Sequence, residues 1–578
     1  MKKSIGILMA LLMLVALVAG CAKPGETPET TAPETTSTQA VGAGTSVEEA
    51  ASQSDTSQAA ADKTGLPVSN KSISISFSEN CITLDPHDGP NSGTGIVQRM
   101  MYESLIAMDN AGSYFPWLAT DWTYNEDGTE WIFNLRQGVE FSNGEAFDAD
   151  DVVCTFQRCI DEYTKLNNPV SSFPMDADGN ALLVSVEKLD QYQIKIVLNR
   201  TYATALNSFA NIRIIPNETF EKEGAEMWAN QNCVSTGPWV LQEWIDGQYA
   251  RFLKNPTYWN KANYDSYYDE VYIRCVLEPS SSVAAHIAGD TVANIVVGGI
   301  DPDMLSLYAG TESKTQIISY YVNSYYYMGF NCAEDRPFHD INMRKAFEYA
   351  IDRQAICDAI MGGGVAINSI LPEGVTGYDA TMPNYEYDPE KAKECLAAAN
   401  YDGREIVLSS NTSTTKAQDQ LLAMGGYLEE VGFKVKVEVV ENATLLEMRT
   451  SGNYDVFLVI TMHSANDGGG ILYQRVTSIV DYHKHGFVND ELNNVILQGS
   501  VTIDTDARAK LYQRAAQIIR EESAPHFALY APNATLAIDY GIVGLELWAN
   551  GNHNFTYVDF DPEATAWRSC DWAKMTTW

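Results

Sequence analysis

The first aromatic residue of this chain is Phe77. Aromatic side chains bury roughly 150–250 Å² each and dominate the energetics of a core. The chain holds 11 Trp, 31 Tyr and 19 Phe in 578 residues, and all of them stand at or beyond position 77. More than seventy residues therefore lie outside the packed protein. The rest of the chain exceeds the roughly 250–300 residues at which a single core stops growing, so more than one domain is expected. Apolar residues make up 45% of the chain, enough for full cores.

The leading tract reads as an address and a tether. Lys2 and Lys3 precede an apolar run from Ile5 to Val18, followed by Ala19, Gly20 and Cys21. A basic start and a short apolar run make a secretory signal, since a spanning helix needs about 20 apolar residues. Leu17-Val18-Ala19-Gly20-Cys21 resembles the bacterial lipobox, which implies a signal peptide over 1–20 and a palmitate-type lipid anchor on Cys21. Residues 21–70, rich in Thr, Glu, Ser, Ala and Pro, bury too little to offset chain entropy and read as a flexible tether. A lipid-held body on the extracellular face of a Gram-positive-like cell membrane is expected.

Charge narrows the partners. A formal net charge of −38 argues against nucleic acid, which needs clustered Lys and Arg to release counterions. It also argues against a broad electrostatic hold on anionic lipid. Nine cysteines follow Cys21 without a Cys-x-x-Cys pair, and Cys154 with Cys159 reads as two semi-buried thiols.

Beyond Lys71 the pattern is mixed α/β. Trp131, Phe133 and Leu135 alternate with polar neighbours between the turn dipeptides Asp127-Gly128 and Asn143-Gly144, which predicts a strand. Ile194, Ile196 and Leu198 predict another. Asp148, Asp340 and Asp388 are placed to cap helices, the last with Pro389 at the first helical position. Gly362-Gly363-Gly364 marks a helix stop.

Several ordered segments then carry a resemblance. They begin with Pro116-Trp117-Leu118-Ala119-Thr120-Asp121-Trp122 and run through Phe133-Asn134-Leu135-Arg136 and Gly138-Val139-Glu140-Phe141 to Asp148-Ala149-Asp150-Asp151-Val152. Thr236-Gly237-Pro238-Trp239, Asn255-Pro256-Thr257-Tyr258-Trp259, Tyr349-Ala350-Ile351-Asp352 and Tyr387-Asp388-Pro389-Glu390-Lys391-Ala392 come after them in order. Together they resemble the extracellular solute-binding proteins, family 5, of peptide and nickel ABC importers. The resemblance implies an α/β, two-lobed periplasmic-binding-protein-like fold of the large class, with two hinge-crossing strands. A discontinuous first lobe (71–326 plus 530–578, with an inserted subdomain at roughly 100–234) would face a second lobe over 327–529. The crossings are expected near Tyr327–Asn331 and Phe527–Tyr530.

The resemblance also implies a ligand cleft. Peptide-binding relatives carry a Trp and then an Asp for the ligand's α-ammonium on a loop of the second lobe. Here His463 falls at the Trp and Asn466 at the Asp, with Asp467 one position late. Asp467 is the expected ammonium partner if the loop shifts by one residue, and a turn carboxylate otherwise. Ser92 and Thr94, on a first-lobe loop, are expected to reach the cleft. Trp239 and the tyrosines Tyr320, Tyr321, Tyr325, Tyr326 and Tyr327 are candidate cleft walls, Tyr326 foremost, although alternation sends at most every second one inward. His483 and His485 offer an i, i+2 pair without further ligands, read as a solvated loop rather than a metal site.

No His-Glu-x-x-His, Gly-x-Ser-x-Gly or Gly-x4-Gly-Lys pattern is present, so an enzyme is not expected, and neither a cofactor nor a metal is assigned. The expected function is capture of a di- or oligopeptide and delivery to an ABC permease by a monomer. An oligosaccharide or other polar solute, or peptide sensing on the same fold, are the alternatives.

Overall fold

The computed structural model describes residues 71–89, 91–109, 112–175, 180–462, 466–479, 483–548 and 553–577. Cys21 and His463 lie outside them, as does the Tyr321 side chain.

One strand organises the molecule. His526–Asp539 runs for 14 residues, far beyond the usual strand of about 5–6. Its first part pairs antiparallel with Ser324–Phe330, and its last part with Thr315–Tyr321 and Ala293–Ile295. It thus belongs to two lobes at once, at the centre of a 12-stranded sheet. The first lobe adds Ser72–Phe77, parallel to both Glu270–Cys275 and Ala293–Ile295. The second adds Val456–Met462 and, beyond it, the parallel pair Glu405–Asn411 and Lys434–Val440.

Pairing places Ser324–Phe330 wholly in the second lobe's part of the sheet. The outgoing passage therefore falls at Val322–Asn323, before Tyr327–Asn331, and the return falls inside His526–Asp539, near Pro532. A separate antiparallel sheet of Ala119–Tyr124, Glu130–Leu135, Gln193–Leu198 and Leu183–Asp190 carries the expected alternation, with Trp131, Phe133 and Leu135 inward. It packs into the first-lobe core.

The predicted helix starts are present. Asp148, Asp340 and Asp388 each accept a main-chain N–H in the first turn, a contact worth about 1 kcal/mol per helix. Asp148 and Asp151 complete a reciprocal capping box. The second lobe's sheet is covered on both faces. Ile341–Ala350, Pro389–Ala398 and Ala417–Val431 close one core, and Asp490–Ser500 and Thr505–Glu521 close the other.

That double cover corrects the tyrosine reading. Tyr326 is buried in one core, packed against Tyr530, while Tyr325 and Tyr327 are buried in the other. Tyr325 OH lies 3.0 Å from His526 Nε2, and the Tyr327 ring stacks on His526 at 4.0 Å. A central strand with cores on both sides sends every side chain inward, so Tyr326 is not a cleft wall. His483 and His485 are likewise buried rather than solvated. The His483 ring receives Arg475 Nη1 at 2.7 Å, and burial with the Arg449 and Arg475 charges drives its pKa far down. The Cys154 and Cys159 thiols are pushed up to about 11 and about 12 by burial.

Candidate functional site

The two lobes meet along their rims. Ala203 N donates to Ser500 O at 3.2 Å, and a Cβ at Gly128 would overlap the Ile503 side chain. On the same rim, a Cβ at Gly112, whose φ is +83°, would stand 2.9 Å from Asn466 Nδ2. Gly112 N donates to Asp109 O at 3.1 Å, and Ser113 N to Asp109 Oδ1 at 2.8 Å. First-lobe glycines thus let second-lobe side chains approach the main chain.

Asn466 joins three parts of the molecule. Its Oδ1 accepts Asn323 Nδ2 at 2.9 Å, from the outgoing passage, and its carbonyl accepts Thr376 N at 3.0 Å. Gly112 of the first lobe faces it. Asn466 is therefore at the hinge and the rim together.

Asp467 is committed within its own lobe. Its Oδ2 accepts Arg508 Nε at 2.8 Å and its Oδ1 accepts Gly469 N at 2.8 Å. Both side chains of the pair are buried, 9% and 7% exposed. Burial, with the same Asp467 charge, raises the pKa of Tyr202, a first-lobe residue. These surroundings do not suit the ammonium role expected of Asp467, because a guanidinium already neutralises the carboxylate. It is equally no solvated turn.

The first-lobe candidates serve the frame. Asn91 Oδ1 caps the helix Ser92–Met101 by accepting Thr94 N at 3.1 Å, and the buried Thr94 Oγ1 accepts Ile82 N at 3.1 Å. Ser92 is half-buried at the helix start. Trp239 is fully buried and its Nε1 donates to Thr556 O at 2.7 Å, so it is core and not cleft. Thr94 and Trp239 are corrected for one reason: each polar atom already has its partner inside the lobe.

Sequence reasoning passed over Glu103. It accepts Trp117 Nε1 at 2.8 Å, Thr236 Oγ1 at 2.8 Å, Tyr258 OH at 3.0 Å and Trp259 Nε1 at 2.8 Å. Three of the motif segments thereby converge on one carboxylate, pushed up to about 7 by burial. The signal available in sequence was the motif donors themselves, Trp117, Thr236, Tyr258 and Trp259, which need a common acceptor once buried. Beside Glu103 lies a cavity of about 70 Å³ whose lining includes Arg99, Ser104, Asn211, Arg213, Trp548 and Asn554.

The comparisons agree with this architecture. The sequence pattern of the bacterial extracellular solute-binding proteins, family 5 Middle, matches residues 113–479. Heme-binding protein A of Haemophilus influenzae is 27% identical over 74% of this chain and 81% of its own. The probable D,D-dipeptide-binding periplasmic protein DdpA of Escherichia coli is 25% identical over 80% of this chain and 89% of its own. The solved structure of HbpA2 from Haemophilus parasuis superposes with a TM-score of 0.73 at 21% identity, covering 85% of this chain and all of that one. Both curated relatives are named as binding proteins. The matched stretch spans more than half of the chain, which belongs to the bacterial extracellular solute-binding proteins of family 5.

Proposed function

We propose that this protein is a lipid-anchored receptor that captures a small peptide between its lobes and delivers it to an ABC permease. The observation that carries the reading is the shared strand His526–Asp539 with rims in contact at Ala203 and Ser500. Two lobes joined by two strand passages close by small changes at Val322–Asn323 and Pro532, and a ligand touching both lobes favours the closed form. Closure follows only from contacts that the open form lacks. The relative named for D,D-dipeptides supports a peptide as the solute.

Anchoring at Cys21 rests on the lysines, the short apolar run and the small residues before the cysteine. Acyl chains would then hold a body whose net charge of −38 gives anionic lipid no grip. Native mass spectrometry of protein purified without denaturant, followed by titration with a di- to pentapeptide pool, tests the reading. A retained peptide mass and a rise in Tm with the pool are expected. A retained saccharide, or no response to any peptide, would reject the peptide.

A further inference from the structure

One side chain joins the two segments of the second-lobe rim. Asn466, next to Asp467, faces Gly112 of the first lobe, while Ser500 and Ile503 face Ala203 and Gly128. Arg508 Nε donates to Asp467 Oδ2 at 2.8 Å, and its Nη1 donates to Thr502 O and Ile503 O, each at 2.8 Å. A guanidinium is a rigid fork, so these bonds fix a carboxylate and a turn relative to each other, which the point charge of a lysine does not.

The place of Arg508 on its helix works against it. It lies in the first turn of Thr505–Glu521, where the helix dipole disfavours a cation. Burial adds a desolvation cost, since only 7% of the side chain is exposed. Asp467 offsets both, yet a hydrophobic pair would fill the same space without either cost. What the ion pair adds is a fixed geometry between two rim segments that are distant in the chain.

The first lobe covers this pair. Tyr114 follows Gly112 by two residues and Tyr202 precedes Ala203, and both rings pack on the first-lobe core. Burial raises both phenol pKa values, the Asp467 charge adds to each, and the Arg508 charge opposes it at Tyr114. Charges act in this way only at short range, so phenols of one lobe stand close to the ion pair of the other. From the second lobe's own side, Tyr512 packs on the same loop, where a Cβ at Gly469 would overlap its hydroxyl.

We infer that Arg508 is a positioning residue for ligand capture: it holds Asp467 and the Thr502–Ile503 turn as one face, on which Tyr114 and Tyr202 close when the lobes shut. A face made ready in advance lowers the cost of closing around a solute, and so favours the closed form. The inference rests on capture between the lobes and adds the residue that prepares the closing face.

Hydrogen–deuterium exchange of the full chain, without any peptide, reads the face directly, because the Ala203 amide donates across the rim to Ser500 O. In Arg508→Lys that amide should exchange about tenfold faster than in wild type, while the second-lobe strand Val456–Met462 keeps its rate. Arg514→Lys, on the same helix but paired with Glu491 at the surface, should change neither. Calorimetric titration with a di- to pentapeptide pool should show affinity about tenfold weaker in Arg508→Lys and unchanged in Arg514→Lys. An unaltered Ala203 rate would overturn the inference, and so would faster exchange at unchanged peptide affinity. Should Arg508→Lys fail to fold, Tyr202→Ala decides from the other lobe. The Gly469 amide, which Asp467 Oδ1 holds, should then exchange about tenfold faster, and an unchanged rate would reject the shared face. If no peptide binds wild type, the peptide reading fails, and the exchange rates still judge Arg508.

Discussion

Asp467 Oδ2 accepts a 2.8 Å hydrogen bond from Arg508 Nε, and both side chains are withdrawn from water. A carboxylate and a guanidinium buried together depend on each other, since removing one strands the other. Asp467→Ala should therefore lower stability by about 3 kcal/mol in urea denaturation, and Asp467→Ala with Arg508→Leu should recover part of that loss. A variant as stable as wild type that loses peptide binding alone would mean that Asp467 serves the ligand.

Glu103 makes stability depend on pH in a direction opposite to that of an ion-paired acid. Its folded pKa is about 7 against an ordinary 4.5, so between those values the native state holds a proton that the unfolded chain has lost. Its contribution is full below about 4.5 and is lost as pH rises through about 7. Each tenfold difference in proton affinity between the two states is worth about 1.4 kcal/mol. Relative to Glu103→Gln, wild type should therefore lose about 3 kcal/mol between pH 4.5 and 8. Paired denaturant titrations across that range read the difference, and a constant difference would contradict it.

Gly237 is a packing requirement. Its N–H donates to Met101 O at 2.8 Å, and an added Cβ would overlap that same carbonyl. Gly237→Ala should cost about 3 kcal/mol, visible as a large fall in Tm, because the carbonyl belongs to the helix Ser92–Met101 and cannot yield.

Ile503 sits on Gly128 across the rim and belongs to no core cluster. Ile503→Lys should weaken peptide binding several-fold while leaving Tm nearly unchanged, because it acts on the closed form and not on either lobe. Small-angle scattering with saturating ligand should show a larger radius of gyration than wild type under the same conditions.

Cys21 is the proposed point of attachment. Cys21→Ala should abolish palmitate labelling and move the protein from the membrane fraction to the medium, and labelling that survives would refute the anchor.

Much of the frame was legible because it is local. Caps at Asp148, Asp340 and Asp388 act within three residues, and the alternation of Trp131, Phe133 and Leu135 states a period-two face. The ordered motif segments identified the family without any distance. The site was less legible. Tyr326 and Trp239 looked like cleft aromatics, yet whether a large ring faces a ligand or a core depends on what covers the strand, and both are covered.

Sequence by itself determined the element starts and the family, since each is written in neighbouring residues, and it carries the whole case for the address and the tether. Tertiary structure alone decided which charges meet. Glu103 finds its four donors 14, 133, 155 and 156 residues away, and Asp467 finds Arg508 at a separation of 41. Arg99 and Arg213 come to one cavity through a bare Gly95 and a pairing with Ser104. Charge–charge energies depend on distance and burial, and neither quantity exists until the chain has folded.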